Sequence, residues 1–178
     1  MRVRMVGVLF FFLALGIGSA FGDDQGVFLD KEPTKEDLVK ALSVSPAIKT
    51  RGIKIGSSKT PVSTPPKVLL NIQFKYDSAE LTDKAVATLT TVGQAISESS
   101  LRHFTFRIVG HTDAAGPAGY NLNLSLKRAQ AVRNFLASEF DLSDNMFEVD
   151  GMGERKLLRP AAPLDSRNRR VEIANIGP

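Results

Sequence analysis

Apolar residues in the second half of the chain fall at two spacings. Leu70, Ile72, Phe74 and Tyr76 alternate with Asn71, Gln73 and Lys75, the period of a strand with one buried face. Asp77 to Glu80 makes a turn, and Thr82 is placed to cap a helix. Ala85, Leu89, Val92 and Ile96 then form one apolar stripe at helical spacing. Phe104, Phe106 and Ile108 return to a period of two. A second, longer helix is predicted from about Asn121 to Phe140, with Ala129, Val132 and Leu136 on its core face. Met146 to Gly151 and Val171 to Ile176 read as two more strands. Gly151-Met152-Gly153 and Pro160 to Pro163 mark turns in a long surface loop between them. Tyr76 and the phenylalanines are expected in the core.

The predicted order is β-α-β-α-β-β. Strands separated by helices imply parallel neighbours with right-handed crossovers. The fold class is therefore α/β, a mixed sheet with two long helices packed on one face. It occupies residues 67–178, enough for one core.

Upstream the pattern changes twice. Val6 to Ala20 is almost unbroken apolar sequence behind Arg2 and Arg4, with Ser19, Ala20 and Gly22 as small residues near its end. This predicts a secretory signal peptide over residues 1–22, cut after Ala20 or Gly22. A retained anchor is the other reading, but the run is about 15 residues, short of the roughly 20 that span a bilayer. Residues 23–66 read as an N-terminal extension. Thr34 with Asp37 opens a short helix, Leu38, Ala41 and Leu42 share one face, and Pro46 ends it. Gly52 to Pro66 is a Gly/Ser/Thr/Pro linker. The short helix is expected to be a loosely docked ornament; the sharper reading is a docking peptide for another envelope protein.

Composition narrows the chemistry. With no cysteine, disulfides and lipid attachment through an N-terminal Cys are both excluded. Loss of Arg2 and Arg4 with the leader lowers the formal charge from +4 to +2. The basic residues are dispersed and tryptophan is absent, which argues against a nucleic-acid partner. Contact with a membrane is expected to be peripheral or absent. Two histidines with neither cysteine nor an H-E-x-x-H pattern argue against a metal site, and no cofactor motif occurs. Without a G-x-S-x-G elbow, His111 reads as a structural residue. Arg155, Lys156, Arg159, Arg167, Arg169 and Arg170 cluster near the last loop, as a solvated basic face or a contact for anionic glycan or lipid headgroups.

The segment Gly110 to Ala131 carries the candidate chemistry. Asp113 sits in a loop punctuated by Gly116, Pro117 and Gly119, which lets the loop fold back over the next helix. Asn121 is placed to cap that helix, and Arg128, seven residues on, lies on the same side about 10 Å along the axis. The geometry lets Asp113 approach Arg128. An arginine holds a carboxylate through two parallel hydrogen bonds, and an aspartate accepts from an ammonium, so the pair suits a zwitterion. By spacing alone, an Asp and an Arg fifteen residues apart are more often two solvated charges or an internal salt bridge.

Several motifs occur together and in order: Phe74-Lys75-Tyr76-Asp77-Ser78-Ala79-Glu80-Leu81, Gly110-His111-Thr112-Asp113, Asn121…Leu124-Ser125…Arg128-Ala129…Val132, Gly151-Met152-Gly153-Glu154 and Asn168-Arg169-Arg170-Val171-Glu172-Ile173. This series resembles the OmpA-like C-terminal domain, the peptidoglycan-binding domain of OmpA, the peptidoglycan-associated lipoprotein and MotB. The resemblance implies non-covalent binding of the peptidoglycan stem peptide through diaminopimelate, in the periplasm with an association with the outer membrane, without catalysis. It implies that Asp113 and Arg128 hold the two ends of the amino-acid group, with Asn121, Thr112 and Leu124 nearby. It also implies that Arg169 or Arg170 supplies a basic residue close to the site. Ala115 departs from the family, where many relatives carry a polar residue before the glycine, so one side-chain hydrogen bond is expected to be lost. A peptidoglycan hydrolase, or a module of a flagellar or secretion assembly with no ligand, are the alternatives.

Overall fold

Where the apolar pattern changes period, the chain changes element. The computed structural model describes residues 26–29, 32–43 and 65–178; the signal segment and most of the linker read from the sequence lie outside these. In chain order the elements are β1 (Val27–Leu29), α1 (Lys35–Leu42), β2 (Lys67–Leu70), α2 (Asp83–Ile96), β3 (Thr105–His111), α3 (Ala118–Phe140), β4 (Phe147–Gly153) and β5 (Val171–Gly177). The sheet runs β1-β2-β5-β3-β4. β3 and β4 are parallel, as their helical crossover requires. β5 returns between β2 and β3, antiparallel to both. The expected β-α-β-α-β-β mixed sheet is therefore present from β2 onward, and β1 adds a parallel strand at the β2 edge.

The helices form for the reasons their sequences suggest. The Thr82 hydroxyl accepts from Ala85 N at 3.3 Å and caps α2. Ala85, Leu89, Val92 and Ile96 are all buried, in one core with Phe106 and Ile108 of β3 and with Ala129, Val132 and Leu136 of α3. Pro117 precedes α3 with φ fixed at −71°. The helix consequently starts at Ala118, and Asn121 lies inside its first turn, not at its cap.

Close backbone approach fixes α3 against the sheet. A Cβ on Gly110 would stand 2.1 Å from Ser125 O, and one on Gly151 2.6 Å from Leu126 N. Gly153 has φ +54° and would meet Leu122 N at 2.9 Å. The fully buried Ser125 hydroxyl accepts from Gly153 N at 2.9 Å and donates to Leu122 O at 2.8 Å. Gly151-Met152-Gly153 is thus the end of β4, not a turn. Its glycines are needed because the helix backbone lies where side chains would be.

Two expectations fail at the N-terminal side. The alternation from Leu70 to Tyr76 predicts one strand, yet the ladder stops at Leu70. Residues 73–82 instead form a small hairpin: Lys75 N donates to Glu80 O, Thr82 N donates to Gln73 O, and Phe74 bridges Leu81. Tyr76 stands at its tip, 99% exposed, and is not core. Nor is α1 loosely docked. Thr34 and Asp37 close a capping box, Leu38 and Leu42 are fully buried in the common core, and Asn175 Nδ2 donates to Leu42 O at 2.9 Å. Lys35 pairs with Glu98 at 2.6 Å.

Leu42→Ala is expected to cost about 2–5 kcal/mol in urea unfolding of the full chain, as for any core leucine. A loosely docked helix would show roughly 0.5 kcal/mol or less.

Candidate functional site

At the C-terminal end of β3 the chain enters the loop Thr112–Pro117, whose base is pinned by backbone bonds. His111 N donates to Arg170 O, Thr112 N to Gly153 O and Ala114 N to Pro163 O, each at 3.0 Å. The loop is also tied from within. Asp113 Oδ1 accepts from Ala115 N at 3.2 Å, a local turn typical of aspartate. Asn121 Nδ2 reaches Asp113 O, Ala115 O and Glu154 Oε2 at 3.3, 3.0 and 2.7 Å. Asn121 therefore acts as a donor that braces the loop, and the expected capping role, as an acceptor of first-turn amides, is not found.

Arg128 projects from the same helix toward the hairpin. Its Nε donates to Ser78 O at 3.0 Å, and its guanidinium lies 5.0 Å from the centroid of Phe74, a cation–π stack. Among the described residues no carboxylate pairs with it. Burial lowers its pKa and the nearby Arg169 adds to this, while Asp113 and Asp77 oppose them; an arginine still stays charged at neutral pH. The Asp113–Arg128 salt bridge that spacing left open is absent. Asp113 Oδ2 instead accepts from Arg169 Nη1 at 2.6 Å.

These groups line one cavity of about 460 Å³. Thr112, Asp113, Asn121, Leu124, Arg128 and Arg169 all border it, so six of the seven candidate residues are brought together. The Thr112 hydroxyl is buried and has no hydrogen-bond partner. Arg170 is the exception. Its side chain turns inward, donating to Glu172 Oε1 from Nε at 3.2 Å and Nη2 at 2.6 Å, and to Lys156 O at 3.2 Å. Arg169 and Arg170 lie between a short 3-10 turn ending at Asn168 and the start of β5 at Val171, and their side chains part there.

Sequence reasoning missed the opposite wall. Phe74, Lys75, Tyr76 and Asp77 of the hairpin face the cavity, and Tyr120 closes one side, its hydroxyl donating to Asp77 Oδ1. The F-K-Y-D run was visible, but nothing in its spacing placed it against a loop some 35 residues on. The basic cluster is also less free than expected. Arg159 and Arg167 both pair with Asp165, Arg169 with Asp113 and Arg170 with Glu172.

Beneath the loop lies a buried polar group of three. His111 is 2% exposed, and its Nε2 is 3.2 Å from Glu172 Oε1, close but without the alignment of a hydrogen bond. Burial lowers the His111 pKa, with the Arg170 and Lys156 charges adding and Glu172 opposing. Burial would raise the Glu172 carboxyl, but His111 and Arg170 outweigh it and hold the group well below the usual carboxylate range.

Known proteins resemble the chain over somewhat more than half of its length. The OmpA family model matches residues 73–170. The chain is 30% identical over 108 residues to outer membrane porin F of Pseudomonas aeruginosa, covering 60% of this chain and 30% of that protein. It is 28% identical over 109 residues to the peptidoglycan-associated lipoprotein of the same organism, covering 60% and 62%. Among solved structures, the OmpA-like domain of FopA1 from Francisella tularensis superposes with a TM-score of 0.52 at 28% identity, covering 61% of this chain and 73% of that one. The chain spans less than two thirds of the length of either curated relative.

Histidine 111 sets a pH dependence. Its folded pKa lies below the unfolded value of about 6.5, so the unfolded chain binds more protons and stability falls as pH drops below about 6.5. The Glu172 contribution has the same sign but is lost only below about pH 4.3. Urea midpoints are expected to fall between about pH 7.5 and 5.5, and His111→Gln is expected to flatten that segment. An unchanged slope in the variant would assign the effect elsewhere.

Proposed function

The chain belongs to the OmpA family, and on that premise we propose that it binds peptidoglycan non-covalently through the diaminopimelate group of the stem peptide. The observation that carries this is Arg128. It is held by Ser78 O and Phe74, has no carboxylate partner among the described residues, and opens into the same cavity as Asp113. A ligand carboxylate takes the Arg128 guanidinium, and the neighbouring ammonium takes Asp113. Arg169 now occupies Asp113, so the ammonium exchanges with it. Leu124 offers an apolar contact, while the Thr112 hydroxyl is sealed beneath the cavity wall.

Charge-assisted hydrogen bonds contribute roughly 1.5–3 kcal/mol each, which places a two-ended grip in the micromolar to millimolar range. The groups present suit holding a ligand. His111 lies buried against Glu172 and does not line the cavity; we read the chain as a non-enzymatic anchor in the periplasm. Leu38 and Leu42 are buried in the chain's own core. Any envelope partner of the N-terminal segment therefore meets residues other than this face of α1.

The test is co-sedimentation of the full chain with intact sacculi, alongside Asp113→Ala and Arg128→Ala, each checked for folding by circular dichroism. Wild type is expected in the pellet and both folded variants in solution, with apparent affinity reduced about tenfold or more. Equal sedimentation of all three would remove the site, and release of soluble muropeptides would favour a hydrolase.

A further inference from the structure

Beside the main cavity lies a second pocket of about 370 Å³. Phe74, Arg128 and Arg169 border both. Asn71, Gln73 and Ser166 complete the polar lining of the second. These three residues are exposed, and their side chains have no hydrogen-bond partner among the described residues. The two spaces differ in sign. The first contains Asp77 and Asp113 together with its arginines. The second has no acid in its lining: its polar groups are two guanidiniums, two side-chain amides and a hydroxyl, all able to donate.

We propose that the second pocket is a carboxylate subsite of the same ligand, taking the C-terminal carboxylate of the stem peptide whose zwitterionic group occupies the first cavity. This rests on the peptide-binding reading above. Arg169 links the two spaces. In the free protein it is bound to Asp113 at 2.6 Å, and its side chain is half exposed. An ammonium arriving at Asp113 displaces it. The displaced guanidinium borders the second pocket, where a carboxylate can take it through parallel hydrogen bonds. The Asn71 and Gln73 amides and the Ser166 hydroxyl add neutral donors there. Occupation of the first cavity thus frees the cation that the second group needs.

The experiment is calorimetric titration of the full chain with two probes, a stem tetrapeptide with a free C-terminal carboxylate and the same peptide ending in a carboxamide. Wild type is expected to bind the free acid about tenfold more tightly, the usual scale for a charge-assisted hydrogen bond. Gln73→Glu places a negative charge in the pocket and is expected to abolish or reverse that preference; Asn71→Ala is expected to reduce it. Both positions are exposed, so folding is not at risk. Equal affinity of wild type for the two peptides would overturn the subsite and leave the first cavity standing. A preference that survives in Gln73→Glu would also overturn it. Failure of wild type to bind either peptide would overturn both readings.

Discussion

The close approach of α3 to the ends of β3 and β4 is the constraint on which the rest depends. Gly110, Gly151 and Gly153 are placed where a side chain would strike the helix backbone, and Ser125 joins the two layers by a buried hydrogen bond. Because helix and sheet meet at backbone distance, the first turns of α3 lie directly beneath the loop that leaves β3. Asn121 can then reach two carbonyls of that loop and Glu154 at once. Two turns on, Arg128 emerges at the rim and meets the hairpin. A larger residue at any of the three glycines would move the helix outward and separate groups that act only when adjacent.

Charge is distributed over this frame in two layers. The lower one, made of Arg170, Glu172 and His111, is buried and neutralises itself. Such a group adds little net stability compared with an apolar core, but removing Arg170 or Glu172 leaves the other as an uncompensated charge. It fixes the strand entry from which Arg169 projects. The upper layer, Asp113, Arg128 and Arg169, faces the cavity and is only partly paired. The two carboxylates are about equally covered; the layers differ in their cations, Arg170 being buried and fixed while Arg169 is half exposed and able to exchange partners.

What could be read from the sequence was whatever is local in cause. The stripes Ala85-Leu89-Val92-Ile96 and Ala129-Val132-Leu136 follow from helical spacing and are buried as read. The strand of Phe106 and Ile108 follows likewise, and the Thr34 and Thr82 caps follow from their hydroxyls. The candidate residues were singled out through their motifs, and six of the seven border one cavity. Their partners were not, since an ion pair between Asp113 and Arg169 depends on how two loops 56 residues apart converge. The hairpin from Gln73 to Thr82 was missed because alternation persists after the ladder ends. Pro117 moved the helix start three residues earlier, which turned Asn121 from a cap into a brace.

The contact between Asp113 and Arg169 has a consequence for how firmly any occupant is held. A cation tethered beside a carboxylate is a competitor at fixed, high effective concentration. It does not diffuse away when a ligand arrives, and it returns whenever the ligand loosens. Any cation that reaches Asp113 must therefore outcompete the tethered guanidinium, which weakens each single grip. A weak grip of this kind holds firmly only where many copies act on one repeating surface.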